Sequence, residues 1–162
     1  MRLPLTALLL LAACGSQSST SNPGGDLGPS RDMTLRPPLD LTSGPPMLTV
    51  PTGCAPATVT AAQIYDPLFK PNCSNNNCHG GPQIPSLKSA ADLLALVGQS
   101  SSSSFAFVDA SGDINKSYLL YKLADEQQRV PRGGGQPMPP TGALLDDTSL
   151  CRVINWVRSG AR

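Results

Sequence analysis

Apolar residues recur at the three- and four-residue spacing of an amphipathic helix in four stretches after residue 59. The first stretch opens at Thr60-Ala-Ala-Gln63, which has the form of a capping box. We expect Pro67 to limit or kink this helix and Pro71 to end it, because proline lacks the N–H that a helix interior needs. Its apolar face consists of Ile64, Leu68 and Phe69.

The second helix is predicted to open at another capping-box sequence, Ser89-Ala-Ala-Asp92, and to stop at Gly98. Its apolar residues are Leu93, Leu94, Leu96 and Val97. A serine-rich loop follows it. The next apolar residues form a short extended segment, which consists of Phe105, Phe107 and Val108.

The last two helices have acidic residues at their predicted starts. Asp113 is expected to cap a helix that bears Ile114, Tyr118, Leu119 and Leu123, with Leu120 and Tyr121 flanking it. Asp146 or Asp147 is expected to cap the last helix, which Gly160 closes. Its face consists of Leu150, Val153, Ile154 and Val157. The pattern predicts one all-α domain of about four helices over residues 53–162.

The N-terminal part of the chain is typical of an exported protein. Residues 1–13 read as a signal peptide, with Arg2 before a short apolar run. The run ends in Leu-Ala-Ala-Cys14-Gly, which resembles the bacterial lipoprotein box and implies cleavage before Cys14 and its acylation. Gly at position 15 favours the outer membrane within that resemblance. The alternative is an ordinary secretory signal followed by a chance cysteine.

Residues 14–52 are predicted to form a disordered tether. They are rich in Ser, Thr, Pro and Gly, show no sustained hydrophobic period, and cannot bury enough apolar surface to offset their ordering entropy. Some apolar side chains of this segment could dock on the domain. We favour a solvated linker for all of them, namely Leu35, Leu39, Leu41, Met47 and Leu48.

Composition excludes some classes of partner. Twelve basic and eleven acidic residues leave no electrostatic footprint for nucleic acid. The sequence has no basic amphipathic stretch that would lie on a membrane, so membrane contact is expected only through the lipid at Cys14. Aromatic residues make up 4% of the chain, so a bound cofactor would help to fill the interior.

The sequence Cys73-Ser-Asn-Asn-Asn-Cys78-His79 has the order of a c-type haem attachment site. Each thiol would form a thioether with the porphyrin, and His79 would be the proximal ligand of the iron. Four residues separate the two cysteines, whereas the usual motif has two. The four-residue insert is polar and is expected to form a turn rather than a helix.

A second axial ligand would have to be a residue other than histidine, because the chain has one histidine. Met33 and Met47 lie in the predicted tether, so Met138 is the methionine left within the domain. Prolines and glycines surround it, and such a rigid loop suits a thioether ligand. The alternative is a methionine that fills a gap in the core.

The five cysteines can all be assigned. Outside the cytoplasm a thiol is not kept reduced by default. Cys14 is assigned to lipid, and Cys73 and Cys78 to haem, which leaves Cys54 and Cys151. We expect these two to form a disulfide within the chain. The alternatives are two free buried thiols, or a Cys54 that pairs between molecules.

The order of these segments resembles class I cytochrome c domains of environmental-bacterial lipoproteins, particularly planctomycete-type and myxobacterial families. The resemblance covers about residues 60–162. It rests on the haem motif and three further segments: Gly112-Asp-Ile-Asn-Lys-Ser-Tyr-Leu-Leu, Met138-Pro-Pro and Trp156-Val-Arg-Ser-Gly-Ala.

This resemblance implies a cytochrome c-like fold with covalent haem c. It assigns the thioethers to Cys73 and Cys78, the proximal ligand to His79 and the distal ligand to Met138. It also implies that the first and last helices cross, which could bring Cys54 and Cys151 within disulfide reach. The expected function is single-electron transfer to redox protein partners, at the periplasmic or outer face of the outer membrane, and not enzyme catalysis.

Other functions are weighed against this expectation. The serious alternative is a haem-free interaction module on the same scaffold, with a Cys73–Cys78 disulfide. Zinc is disfavoured because adjacent Cys78 and His79 rarely face one metal and no fourth soft ligand is nearby in the sequence. A hydrolase is disfavoured because the sequence has no Gly-x-Ser-x-Gly elbow, and a peroxidase because Met138 would close the distal side.

Overall fold

The structure is a computed structural model that describes residues 45–140 and 144–162. Five α-helices form its framework: α1 (Ala61–Ile64), α2 (Lys70–Cys73), α3 (Ala90–Leu94), α4 (Tyr118–Leu123) and α5 (Asp147–Arg158). A π-helical segment, Tyr65–Phe69, joins α1 to α2 without a break, so the helices form four separate segments. The described residues contain isolated β-bridges but no strand, which confirms the all-α class.

The predicted signal peptide, Cys14 and the tether up to residue 44 lie outside the described residues. Within the part that is described, no helix has the length and apolar character needed to cross a membrane.

The first helical segment begins as predicted and continues further than predicted. Thr60 caps α1 through both bonds of the capping box: its side chain accepts from the Gln63 amide, and its own N–H donates to the Gln63 side-chain oxygen. Pro67 lies in the π-helical segment, where the Lys70 N–H donates to the Tyr65 carbonyl. The prediction that Pro71 ends the helix is wrong. Pro71 is the second residue of α2, and the chain stays helical as far as Cys73.

The middle of the chain is less helical than its apolar pattern predicted. Ser89 caps α3, but α3 ends at Leu94 rather than near Gly98. The residues after it approach the predicted extended segment through the bridges Val97–Val108 and Ser100–Ala106. The first buried apolar side chain beyond the helix therefore reaches the core from a turn: Leu96 is 2% exposed.

The third predicted helix is split in two. Asp113 caps a 3-10 turn, Ile114–Lys116, and α4 begins only at Tyr118. The N–H of Tyr118 donates to Ala106 O at 2.9 Å, so a carbonyl of the extended segment accepts the hydrogen bond of the first amide of α4. Leu120 and Tyr121, predicted to flank this helix, lie inside it and are fully buried.

The first and last helical segments pack against each other. Asp146 is the residue that caps α5, and its carboxylate accepts from the Ser149 amide at 2.7 Å. The N–H of Ala61 at the start of α1 donates to the carbonyl of the C-terminal residue, Arg162, at 2.9 Å. The apolar faces of both segments belong to one buried cluster, in which the predicted members are Ile64, Leu68, Leu150, Val153, Ile154 and Val157.

A disulfide joins Cys54, ahead of α1, to Cys151 in the first turns of α5. Their Cα atoms are 5.4 Å apart, and the bond spans 97 residues of sequence. The predicted intramolecular pairing is confirmed, in place of free thiols or a bond between molecules. The bridge closes nearly the whole helical domain into one covalent loop.

Residues 46–50, here called the N-terminal strap, lie against the domain. Leu48 is 6% exposed and belongs to the core cluster, so the predicted solvated linker is wrong at this position. Its N–H donates to Asn115 Oδ1 at 3.0 Å, and Tyr121 Oη donates to Pro46 O at 2.6 Å. The Leu48 side chain therefore packs in the core, and Asn115 and Tyr121 bind the backbone of the strap.

Candidate functional site

The turn that follows α2 brings the two motif cysteines and the histidine together. Cys73 is the last residue of α2, and the four polar residues after it form the predicted turn. The N–H of Cys78 donates to Asn75 O at 3.0 Å, and the N–H of His79 donates to Cys73 O at 3.0 Å. The chain thus folds back on the end of the helix and places His79 beside Cys73.

Hydrogen bonds fix the ring of His79. Its Nδ1 lies 2.7 Å from Pro85 O, and since a carbonyl can only accept, Nδ1 carries the proton. Its own carbonyl accepts from the Leu87 amide at 2.9 Å. A histidine that donates from Nδ1 to a carbonyl keeps Nε2 as the free nitrogen, which is the arrangement of a metal-ligating imidazole.

The two motif thiols are not bridged to any of the described residues. Burial raises the pKa of the Cys73 thiol to about 11, and the neighbouring Cys78 adds to this shift. In residues 45–140 and 144–162, no three side chains among His, Cys, Asp and Glu group closely enough to hold a metal ion.

An apolar recess lies next to Cys73. Its walls consist of Leu68, Phe69, Cys73, Leu123, Pro139 and Leu145. It is open to solvent, and the volume within it that a water-sized sphere can enter is about 10 Å³. Cys73 of the motif and Pro139, which directly follows Met138, line the same recess, whereas Cys78, His79 and Met138 are not among the residues that line it.

Met138 lies in a proline- and glycine-rich loop, as predicted, and is partly buried against the core. Its N–H donates to the backbone carbonyl of Lys122 in α4 at 2.9 Å. Lys122 Nζ in turn donates to Gly134 O and Gln136 O, at 2.7 and 2.6 Å. Lys122 of α4 therefore holds the loop at residues 134, 136 and 138, on both sides of Pro137.

Sequence reasoning missed Lys122 and its neighbour Tyr118, whose hydroxyl also binds Gly134. The one available signal was their four-residue spacing, which places both on one face of α4 ahead of a glycine-rich loop with many carbonyls to satisfy.

Comparison of the chain with protein-family models, with curated proteins and with solved structures found no match.

Proposed function

We propose that this protein is a c-type cytochrome, a carrier of single electrons on a cytochrome c-like helical scaffold. The observation that carries the proposal is the geometry of His79. It directly follows Cys78, its amide is bonded to Cys73 O, and its Nδ1 proton is bonded to Pro85 O. A lone histidine held in this way has Nε2 free for iron.

The side chains present fit a covalent haem in their chemistry. Cys73 and Cys78 would supply the thioethers, with His79 and Met138 as axial ligands. The recess beside Cys73 is lined by apolar side chains, as a porphyrin requires. Its volume of about 10 Å³ for a water-sized sphere is far below the roughly 300–1,000 Å³ of typical ligand pockets, so the side chains around the recess would have to move outward to admit haem.

When bound, haem iron carries one electron by alternating between its ferrous and ferric states. The chain's own residues set the surroundings of that exchange. Around a bound haem, the apolar side chains of the recess would lower the local dielectric, which would favour the less charged, reduced iron. The Pro85 carbonyl holds His79 in one tautomer. Lys122 holds the Met138 loop by donating to two carbonyls of that loop. These contacts would hold the two side chains that are proposed to ligate the iron.

The proposal includes the place of action. A signal peptide and acylation at Cys14 would hold the domain on the outer membrane, facing the periplasm or the outside. Its partners would then be redox proteins. The near balance of twelve basic and eleven acidic residues gives no long-range steering toward a strongly charged partner.

The test is to produce the full chain together with a c-type haem attachment apparatus and to record its absorption spectrum. We expect covalent haem and, after reduction, sharp alpha and beta bands of low-spin iron. His79→Ala should abolish this spectrum. Met138→Ala should keep the covalent haem but give high-spin or solvent-ligated iron. A chain that takes up no haem under these conditions would overturn the proposal.

The second candidate is a haem-free interaction module with a Cys73–Cys78 disulfide. The observation in its favour is that the two thiols are close enough for Cys78 to raise the pKa of Cys73. Peptide mapping of the exported, unreduced protein separates the two candidates. A bridged Cys73–Cys78 peptide supports the module, whereas a haem-bearing peptide supports the cytochrome.

A further inference from the structure

The ammonium group of Lys122 is partly buried and is paired with neutral groups. Its two hydrogen-bond acceptors are the carbonyls of Gly134 and Gln136, at 2.7 and 2.6 Å. No carboxylate of the described residues forms a salt bridge with it. Burial also lowers the pKa of this amine. Since removing a cation from water is costly, packing alone would favour an apolar residue at this position.

Neighbouring side chains bind the same loop. Tyr118 Oη lies 3.1 Å from Gly134 O and accepts from the Gly134 amide at 3.0 Å. The buried Gln127 donates to Gly135 O at 3.2 Å. The Lys122 ammonium lies 5.8 Å from the centre of the Tyr118 ring. Three consecutive carbonyls, those of residues 134–136, are thus bound by side chains from α4 and the 3-10 turn after it.

The backbone of the same lysine binds the far end of the loop. Met138 N donates to Lys122 O at 2.9 Å. Side chain and backbone of Lys122 therefore hold the loop on both sides of Pro137. Gly135 has a φ of +72°, and a Cβ added there would lie 3.1 Å from the ammonium, so the loop passes close over the lysine.

A loop of this composition needs such contacts to keep one conformation. Residues 133–135 are three consecutive glycines, which lose more backbone freedom on ordering than any other residue type. A methionine thioether holds iron in place only when its loop is fixed. The bonds from Lys122 supply that restraint at the point where the sequence itself supplies none.

We propose that Lys122 is the positioning residue for Met138, holding the glycine-rich loop so that the Met138 side chain keeps one place against the core. As a positioning residue for an axial ligand, Lys122 depends on the proposed function. The holding of the loop itself does not depend on haem and can be measured without it.

The first experiment measures hydrogen exchange at the Met138 amide in the full chain without haem. Lys122→Met removes the ammonium but keeps the backbone carbonyl that binds this amide, so any change reports loosening of the loop. We expect exchange to speed up at least tenfold. Lys122→Arg, which keeps a cation with several donors, should restore most of the protection.

The matched control is Lys116→Met. Lys116 is exposed and its ion pair is with Asp113, away from the loop, so exchange at Met138 should stay as in the unsubstituted chain. Unchanged exchange at Met138 in Lys122→Met, or an equal effect of Lys116→Met, would overturn the proposal.

The second experiment titrates imidazole against the ferric, haem-loaded protein, where imidazole competes with Met138 for the iron. Lys122→Met should bind imidazole about tenfold more tightly than the unsubstituted chain, and Lys122→Arg should fall between them. Equal affinities in all three would contradict the positioning role. If the chain takes up no haem, the proposed function fails, whereas the exchange experiment still decides whether Lys122 holds the loop.

Discussion

At the scale of single residues, the buried thiol of Cys73 links stability to pH in the haem-free, reduced protein. Its pKa is raised from 9.0 to about 11, so the folded state keeps this proton to higher pH than the unfolded state does. The resulting stabilisation is complete below pH 9 and is lost as pH rises through 11. We expect a loss of about 2 kcal/mol between pH 8 and pH 11.

Urea unfolding in degassed buffer at the two pH values measures this loss. Cys73→Ala should remove about 2 kcal/mol of the pH dependence. Cys78→Ala is the matched control and should retain most of it, because burial is the larger cause of the shift and Cys78 the smaller. Equal pH dependence in the unsubstituted chain and in Cys73→Ala would show that Cys73 is not the responsible group.

At the scale of elements, the motif turn depends on a close approach at Gly80. A Cβ added there would run into the carbonyl of Ser74 and would lie 2.8 Å from that of Asn75. Because both obstacles are backbone atoms, Gly80→Ala must displace the turn. We expect a loss of about 1–3 kcal/mol in the free energy of unfolding of the haem-free chain.

Gly134→Ala provides the comparison, since nothing lies within 4 Å of a Cβ at that position. Its effect should stay within about 0.5 kcal/mol. Denaturant unfolding of both variants checks the contrast. A Gly80→Ala chain as stable as the Gly134→Ala chain would mean that the turn adjusts at little cost.

The helix starts were predictable because capping is local. Thr60 and Asp146 satisfy amides within three residues of themselves, so the sequence around them contains the whole interaction. The ends were not. The π-helical segment accommodates Pro67 and lets α2 run past Pro71. The gap before α4 exists because Tyr118 N finds a carbonyl at Ala106, twelve residues away in sequence.

The candidate site divides in the same way. Cys73, Cys78 and His79 are near neighbours in sequence, so their grouping could be inferred from spacing alone. The contact between Lys122 of α4 and the Met138 loop could not be inferred in this way. Lys122 binds carbonyls 12 and 14 residues away, and the path of the chain between them depends on the whole core. A site formed by residues close together in sequence can be predicted from that sequence, whereas the contacts that a distant helix makes with such a site cannot.

At the scale of the whole molecule, the disulfide should account for a large share of the stability. Closing a loop that spans 97 residues gives about 4–5 kcal/mol in chain-entropy models. Replacing both Cys54 and Cys151 by serine should therefore lower the free energy of unfolding by about that amount, measured in urea. A loss below about 1 kcal/mol would show that the unfolded chain is already compact without the bond.

The strap gives a second prediction at this scale. Leu48 is 6% exposed and part of the core, so Leu48→Ala should destabilise the full chain by about 2–3 kcal/mol. The adjacent Met47 is 68% exposed, and Met47→Ala should change stability by less than about 0.5 kcal/mol. Thermal unfolding of the two variants tests this. Equal melting temperatures would place Leu48 outside the cooperative core.

The position of the disulfide decides how the molecule responds to a mechanical pull between its two ends. Tension applied ahead of the strap would first peel residues 46–50 from the domain and then reach Cys54. There the covalent bond passes the force directly to Cys151 in α5, bypassing α1 to α4. The 97 residues of separation cannot lengthen while the bond is intact, which withholds roughly 330 Å of extension. Under stretching, residues 55–150 would therefore stay closed behind the cross-link. The chain outside it would extend, including the last turns of α5 with the buried residues Val153, Trp156 and Val157.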